Sequence, residues 1–279
     1  MSTKAISRRS LLQGAGATFA ITRLHAADQP ELYGVSALLD GSAMVRVRAG
    51  EFWMGAEDGL ADARPVHRVR IGAFEMGKFE VTQAQWKTVM MDAHSKAGEV
   101  RPTPLGHTIG SDPSHFKDPL LPVDSVSWDD IEVFLKRLNA RDIKHTWRLP
   151  TEAEWEYASR AGTTGDDPAM LPATAWHKSN SSERTHPVGQ KQANSWGLYD
   201  MDGNVSEWVA DWYGHDYYAA AAAVDPTGPD EGSYKVYRGG CWFDSADSCS
   251  ATLRRFDFPV SRFYNVGFRL VRTARSGQS

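Results

Sequence analysis

The stretch Trp147-Arg148-Leu149-Pro150-Thr151-Glu152-Ala153-Glu154-Trp155-Glu156 sets a hydroxyl residue directly after a proline and a carboxylate three positions beyond the hydroxyl. That spacing is a capping box, so it predicts a helix that begins after Pro150 and stops at Gly162. Trp155 and Ala158 are expected on its core side, with Glu156 and Arg160 paired on the outside. The same signature recurs at Thr82-Gln83-Ala84-Gln85 and, with a shorter acid, at Ser127-Trp128-Asp129-Asp130. Behind the latter, Ile131, Phe134, Leu135 and Leu138 fall at i, i+3, i+4 and i+7, one buried stripe on a surface helix.

Around these three helices lie short alternating stretches: Val45 and Val47, Val69 and Ile71, and Val266, Phe268 and Leu270. Long connections rich in Gly, Pro and Asp fill the gaps. Helices and short strands without βαβ alternation define an α+β class: a single irregular domain with few short strands and about three helices. Ten tryptophans among 24 glycines fit this picture, because large rings clamp turns that have little regular structure of their own.

The ends of the chain read differently. Ser7-Arg8-Arg9-Ser10-Leu11-Leu12-Gln13 puts paired arginines ahead of an apolar run from Leu11 to Ile21, and Leu24-His25-Ala26 offers small-residue cleavage. Residues 1–27 are therefore expected to be a twin-arginine signal peptide, 28–40 a linker, 41–273 the domain and 274–279 a tail. The expected location is periplasmic or otherwise exported, with the twin-arginine translocase as partner during export. No other apolar run is long enough to span a bilayer, so no membrane association is expected after cleavage. Removing the four positive charges of the signal takes the formal net charge from −4 to −8, and this acidic balance without a basic run argues against nucleic acid as a partner. There is no H-E-x-x-H, no G-x-S-x-G and no phosphate-cradling loop.

The blocks Gly50-Glu51-Phe52-Trp53-Met54-Gly55, Lys78-Phe79-Glu80-Val81-Thr82, Trp147 to Glu156, Gly197-Leu198-Tyr199-Asp200-Met201-Asp202-Gly203-Asn204-Val205-Ser206-Glu207-Trp208, Arg238-Gly239-Gly240 and Gly267-Phe268-Arg269 together resemble, in order, the formylglycine-generating enzyme (sulfatase-modifying factor) family. The resemblance implies that family's C-type-lectin-like α+β fold over roughly residues 41 to 272. It also implies where chemistry would sit. Enzymes of the family that make formylglycine hold copper between two cysteines and oxidise a substrate cysteine with oxygen. Their Arg-Gly-Gly is followed by a serine, a cysteine three positions on and a second cysteine five further.

Here those slots hold Cys241, Asp244 and Cys249, the three candidate catalytic residues. The usual two-thiolate copper site cannot form from the usual positions. Three readings of the two cysteines stay open: a relocated copper pair, a disulfide, and a packing residue beside a serine-like one. Trp242 and Arg255, in and just beyond the segment, are the candidate substrate-binding residues. The resemblance further implies calcium, with Asn204 and Glu207 as ligands assisted by backbone carbonyls. The alternative is that Asn204 caps a turn and Glu207 pairs with an arginine. The sequence favours an oxidoreductase acting on a peptide or small peptide-derived substrate, by likeness to the pyoverdine-maturation oxidoreductase, an exported member that lacks the cysteine pair. A non-catalytic ligand-binding or structural module is the alternative, and formylglycine generation on sulfatases ranks third.

Overall fold

The structure is a computed structural model that describes residues 34–91, 110–164 and 169–275. The expected signal peptide lies outside the described residues. The fold opens with helix α1 (Val35–Asp40), inside the stretch assigned to a linker from sequence. Val35, Ala37 and Leu38 are buried in the main core, and Arg272 donates to the carbonyls of Leu38 and Leu39. The linker assignment is therefore corrected: the domain begins by Val35. Six residues without a side-chain cap are too short for a periodic signal, which is why the stretch read as a connection.

Helices α2 (Gln83–Met90), α3 (Trp128–Arg141) and α4 (Glu152–Arg160) each start on a complete capping box, from Thr82, Ser127 and Thr151. A four-residue helix, α5 (Leu171–Thr174), follows. The strands form three sheets. The first pairs β1 (Met44–Val47), β4 (Phe74–Gly77), β10 (Val271–Ala274) and β5 (His145–Arg148), in that order and antiparallel throughout. The second is a two-stranded pair, β2 (Gly50–Met54) with β3 (His67–Ile71). The third runs β8 (Arg255–Asp257), β7 (Lys235–Arg238), β6 (Ser206–Trp212), β9 (Val266–Gly267). In it β6 and β9 are parallel, so Ser206 faces Val266 while Glu207 faces Arg238. The expected run Val266, Phe268, Leu270 is buried at all three positions but is not one strand. It belongs to the third sheet as far as Gly267 and enters the first at Val271.

One core gathers Trp86, Phe134, Trp147, Trp208 and Phe268, with Trp86 stacked on Phe134 at 5.3 Å and Phe268 edge-on to both. A second gathers Met76, Trp155, Tyr157, Leu198 and Val236. α4 packs into the second core on all sides. Glu156 and Arg160, expected to pair outside, do pair, but they are 0% and 6% exposed. The reason is that polar partners arrive from elsewhere: the Gly55 amide donates to Glu156, Arg160 donates to the Gly55 carbonyl, and Arg238 donates to Glu156. A helix whose buried face includes charged groups with partners does not reveal that face by its apolar spacing.

Truncation tests the position of the boundary. A chain starting at residue 41 should be less stable to urea than one starting at residue 31 by roughly 3–6 kcal/mol, the burial of two branched side chains. Equal midpoints would return residues 35–40 to the linker.

Candidate functional site

β7 ends at Arg238, and the chain then turns through Gly239 and Gly240, both at positive φ (96° and 69°). A Cβ on Gly240 would lie 2.6 Å from the Ser248 carbonyl oxygen and 2.9 Å from the Cys249 sulfur, so the turn needs glycine for both conformation and space. The turn delivers Cys241, fully buried, into a small polar cluster. Its thiol donates to Asp244 Oδ2 at 3.1 Å, and Asn265 Nδ2 donates to its sulfur at 3.2 Å. Asp244 in turn receives both terminal nitrogens of Arg255, at 2.5 and 2.9 Å. A bidentate guanidinium is the strongest partner a carboxylate has among side chains, and it leaves Asp244 little capacity for a metal.

Cys249 is also free and buried, its thiol reaching toward the Cys241 carbonyl at 3.9 Å. The two sulfurs are not bonded. Burial pushes the Cys241 thiol up to about 11, with the nearby Asp244 charge adding to it, and the same two causes raise Cys249 further. Both are thus held as neutral thiols near pH 7, whereas metal binding and nucleophilic attack need the thiolate.

Trp242 lies beneath the surface at 6% exposure, its backbone amide bonded to the Asn204 carbonyl. Its ring touches Phe116, Phe243 and Tyr264 at 5.6 to 5.8 Å between centroids, and the last two are exposed. Trp242 is therefore the floor of an aromatic face rather than its rim. Three of the sequence-chosen residues, Cys241, Asp244 and Arg255, are directly bonded, and Cys249 and Trp242 adjoin them. Asn265, Tyr264 and Phe116 were not singled out from sequence. They come from two distant connections whose only cue is aromatic content. A cavity of about 450 Å³ lined by Trp128, Glu132, Arg148 and Glu154 shares no residue with this cluster.

Asn204 and Glu207 lie in the strand and turn behind it. Arg269 clamps Glu207 from Nε and Nη2, both at 2.6 Å, and Trp155 Nε1 donates to the same carboxylate at 2.7 Å. Burial works against the Arg269 charge, but the Glu207 carboxylate outweighs it and holds the guanidinium pKa above its usual value. Asn204, at φ 57°, accepts the His186 amide on its side-chain oxygen and donates to Glu80 and the His186 carbonyl. Both side chains are thus committed to protein partners, and a carboxylate clamped by a buried arginine does not fit a calcium ligand set. Among the described residues no group of three or more His, Cys, Asp or Glu is arranged to hold a metal. Glu80, fully buried and in no ion pair among the described residues, is pushed well up by burial and by the charges of Asp200 and Glu207.

A buried Arg-Gly-Gly turn that feeds an aromatic face across three small sheets defines a mixed α+β domain with one candidate site. The sulfatase-modifying factor enzyme 1-like domain matches residues 31–274, and the chain belongs to that family. It is similar to formylglycine-generating enzyme of Streptomyces coelicolor, at 31% identity over 82% of this chain and 89% of the relative. It is also similar to serine/threonine-protein kinase pkn1 of Chlamydia caviae, at 31% identity over 81% of this chain, but it spans only 37% of that protein's length. Among solved structures, PvdO from Pseudomonas aeruginosa superposes with a TM-score of 0.69 at 28% identity, covering 82% of this chain and 93% of that one.

If Glu207 serves as the counter-ion of Arg269, Glu207→Ala should lower stability by about 3–5 kcal/mol, because it strands a buried guanidinium. The loss should be the same in chelator as in millimolar calcium. A loss seen only with calcium present would make Glu207 a calcium ligand instead.

Proposed function

We propose that this is an exported member of the family that binds a peptide or small peptide-derived ligand on the aromatic face over Cys241, Asp244 and Arg255, without a two-thiolate copper centre. The observation that carries this reading is the bidentate pair of Asp244 with Arg255. It fills the position of the first copper cysteine with a carboxylate already neutralised from the protein side, beneath exposed rings of Phe243 and Tyr264. Cu(I) prefers soft thiolates, and here one sulfur of the pair is replaced by Asp244, while the other, Cys249, and the thiol of Cys241 in the serine slot are held neutral. Exposed aromatic rings around a satisfied polar centre are suited to hold a ligand by apolar contact. Export rests on Arg8, Arg9 and the apolar run behind them.

A second reading is favoured by the likeness to PvdO: an oxidoreductase on a peptide-derived substrate, of the pyoverdine-maturation kind, using the same face. In it the Cys241 thiol and the Asp244 carboxylate, already hydrogen-bonded, would form the route for a proton. Formylglycine generation is the reading that the cluster supports least.

Two measurements separate these. In an anaerobic competition titration the reduced protein should bind Cu(I) weakly, and in air it should leave a cysteine-containing sulfatase peptide at its original mass. Tight one-to-one copper binding, lost in both Cys241→Ala and Cys249→Ala and accompanied by aldehyde formation, would overturn the proposal. The second measurement passes a tryptic peptide mixture over the immobilised mature chain. Peptides should be retained by the wild type and released by Phe243→Ala combined with Tyr264→Ala, with masses unchanged. Retained peptides lighter by two hydrogens would establish the oxidoreductase reading, and no retention would contradict both.

A further inference from the structure

Among the described residues, two cations at the aromatic face have no carboxylate partner. The Arg184 guanidinium lies 5.4 Å from the centre of the Phe116 ring, and the Lys178 ammonium lies 5.6 Å from that of Phe243. Both rings contact Trp242, so each cation is one ring away from the floor of the site. Lys178 is tied to the cluster itself, since its amide donates to the Asp244 carbonyl at 2.8 Å. Among the described residues neither side chain forms an ion pair, in a chain where the other arginines near the site, Arg238, Arg254, Arg255 and Arg262, all do.

The loop that carries Arg184 is built rather than loose. Ser182 and Glu183 are consecutive non-glycine residues in the left-handed region, at φ 55° and 59°. Two such residues in succession cost energy and persist only where the surroundings hold them. Here the surroundings do so at both ends. Ser181, fully buried, donates its hydroxyl to the Trp242 carbonyl at 2.8 Å, and Thr185 is 1% exposed. His186 stacks on Trp176 at 3.7 Å and donates from Nε2 to the Ser181 carbonyl, which closes the loop. The exposed tip of this closed loop is Ser182, Glu183 and Arg184. Its base is bonded to the backbone of Trp242, so Arg184 is presented at a fixed height beside the aromatic floor.

A pair of uncommitted cations on an acidic protein, set beside exposed aromatic rings, selects ligand charge. Chain-wide charge repels anions, whereas these two groups attract them locally. We infer that Lys178 and Arg184 make the face selective for an acidic ligand: a peptide or peptide-derived molecule with a carboxylate next to an aromatic or aliphatic group. The carboxylate meets the guanidinium or the ammonium, and the apolar group lies against Phe116, Phe243 and Tyr264. Arg255 does not take this role, because Asp244 already occupies both of its terminal nitrogens. The inference rests on the reading of the face as a ligand site and adds the chemical class of the ligand.

The test uses the mature chain and three acetylated tripeptide amides, Phe-X-Phe with X as Glu, Gln or Lys, titrated by calorimetry at low ionic strength. The Glu peptide should bind about threefold more tightly than the Gln peptide, a difference of about 0.6 kcal/mol that one exposed ion pair can supply. The preference should shrink in high salt. Arg184→Gln and Lys178→Gln should each reduce it. The double variant Lys178→Glu with Arg184→Glu should reverse it in favour of the Lys peptide. Both side chains are exposed, so these variants should fold as the wild type does, which melting curves check. Equal binding of all three peptides would overturn the acidic preference while leaving a ligand site in place. A Glu preference unchanged in the charge-reversed variant would overturn the roles of Lys178 and Arg184. Binding of none of the three would bring down both the inference and the ligand-site reading beneath it.

Discussion

Arg238 is the residue on which the rest of the molecule depends. From the end of β7 it reaches into the second core and donates to Glu152 at 2.7 Å and Glu156 at 2.6 Å, one turn apart on α4. Neither carboxylate is held by Arg238 alone. Arg254 bonds both oxygens of Glu152, and Arg160 bonds Glu156. Three arginines and two glutamates, all nearly inaccessible to water, thus join α4 to β7, to the segment after Cys249 and to the end of β2. Desolvating so many charges is expensive, and only mutual pairing with good geometry offsets it. Burial works to raise the pKa of Glu152, but the charges of Arg254 and Arg238 outweigh it and hold the carboxylate below its usual range. The two glycines that follow Arg238, both at positive φ, carry the chain from this knot into the site segment.

That arrangement separates the frame from the chemistry. Among the described residues no hydrogen bond or ion pair of the charged knot runs to the side chains of Cys241, Asp244 or Cys249. The second buried pair, Arg269 with Glu207, plays a similar part for the loop before β6. Arg269 also donates to the carbonyls of Gly77 and Tyr199, and in this way it ties the end of β4, the loop at Tyr199 and β6 together. A fold supported like this keeps its site segment in register while the residues presented there change. This is how a chain of this family can carry a thiol, carboxylate and guanidinium cluster where a metal pair would sit.

Much of the frame was legible in the sequence because it is written in local signals. The three helices start where their hydroxyl and acid or amide spacing put them, and the stripe from Ile131 to Leu138 is buried as its period requires. What escaped was set by tertiary partners. Glu156 and Arg160 look like an exposed pair until Arg238 and the Gly55 loop arrive. Val35–Asp40 is too short to show a period. The capping alternative for Asn204 and the arginine alternative for Glu207 were weighed from sequence, yet the partner, Arg269, lies 62 residues away and no local pattern names it. The site was legible as a segment but not as a cluster. Cys241, Asp244 and Cys249 were placed by the Arg-Gly-Gly landmark, whereas Asn265 and the cations at 178 and 184 come from loops whose approach only the folded chain reveals.

On the proposed reading the two cysteines are neutral, separate thiols within a satisfied polar cluster, which suits the face to recognition rather than to thiolate chemistry. The most direct measurement is a pH titration of thiolate ultraviolet absorbance in the native reduced protein, compared with Cys241→Ala and Cys249→Ala. The account predicts no thiolate through the neutral range and a first deprotonation near pH 11, assigned to Cys241, while the unfolded chain ionises both thiols near the ordinary value of 9.0. A native thiolate already present at pH 7, lost on replacing either cysteine, would contradict it.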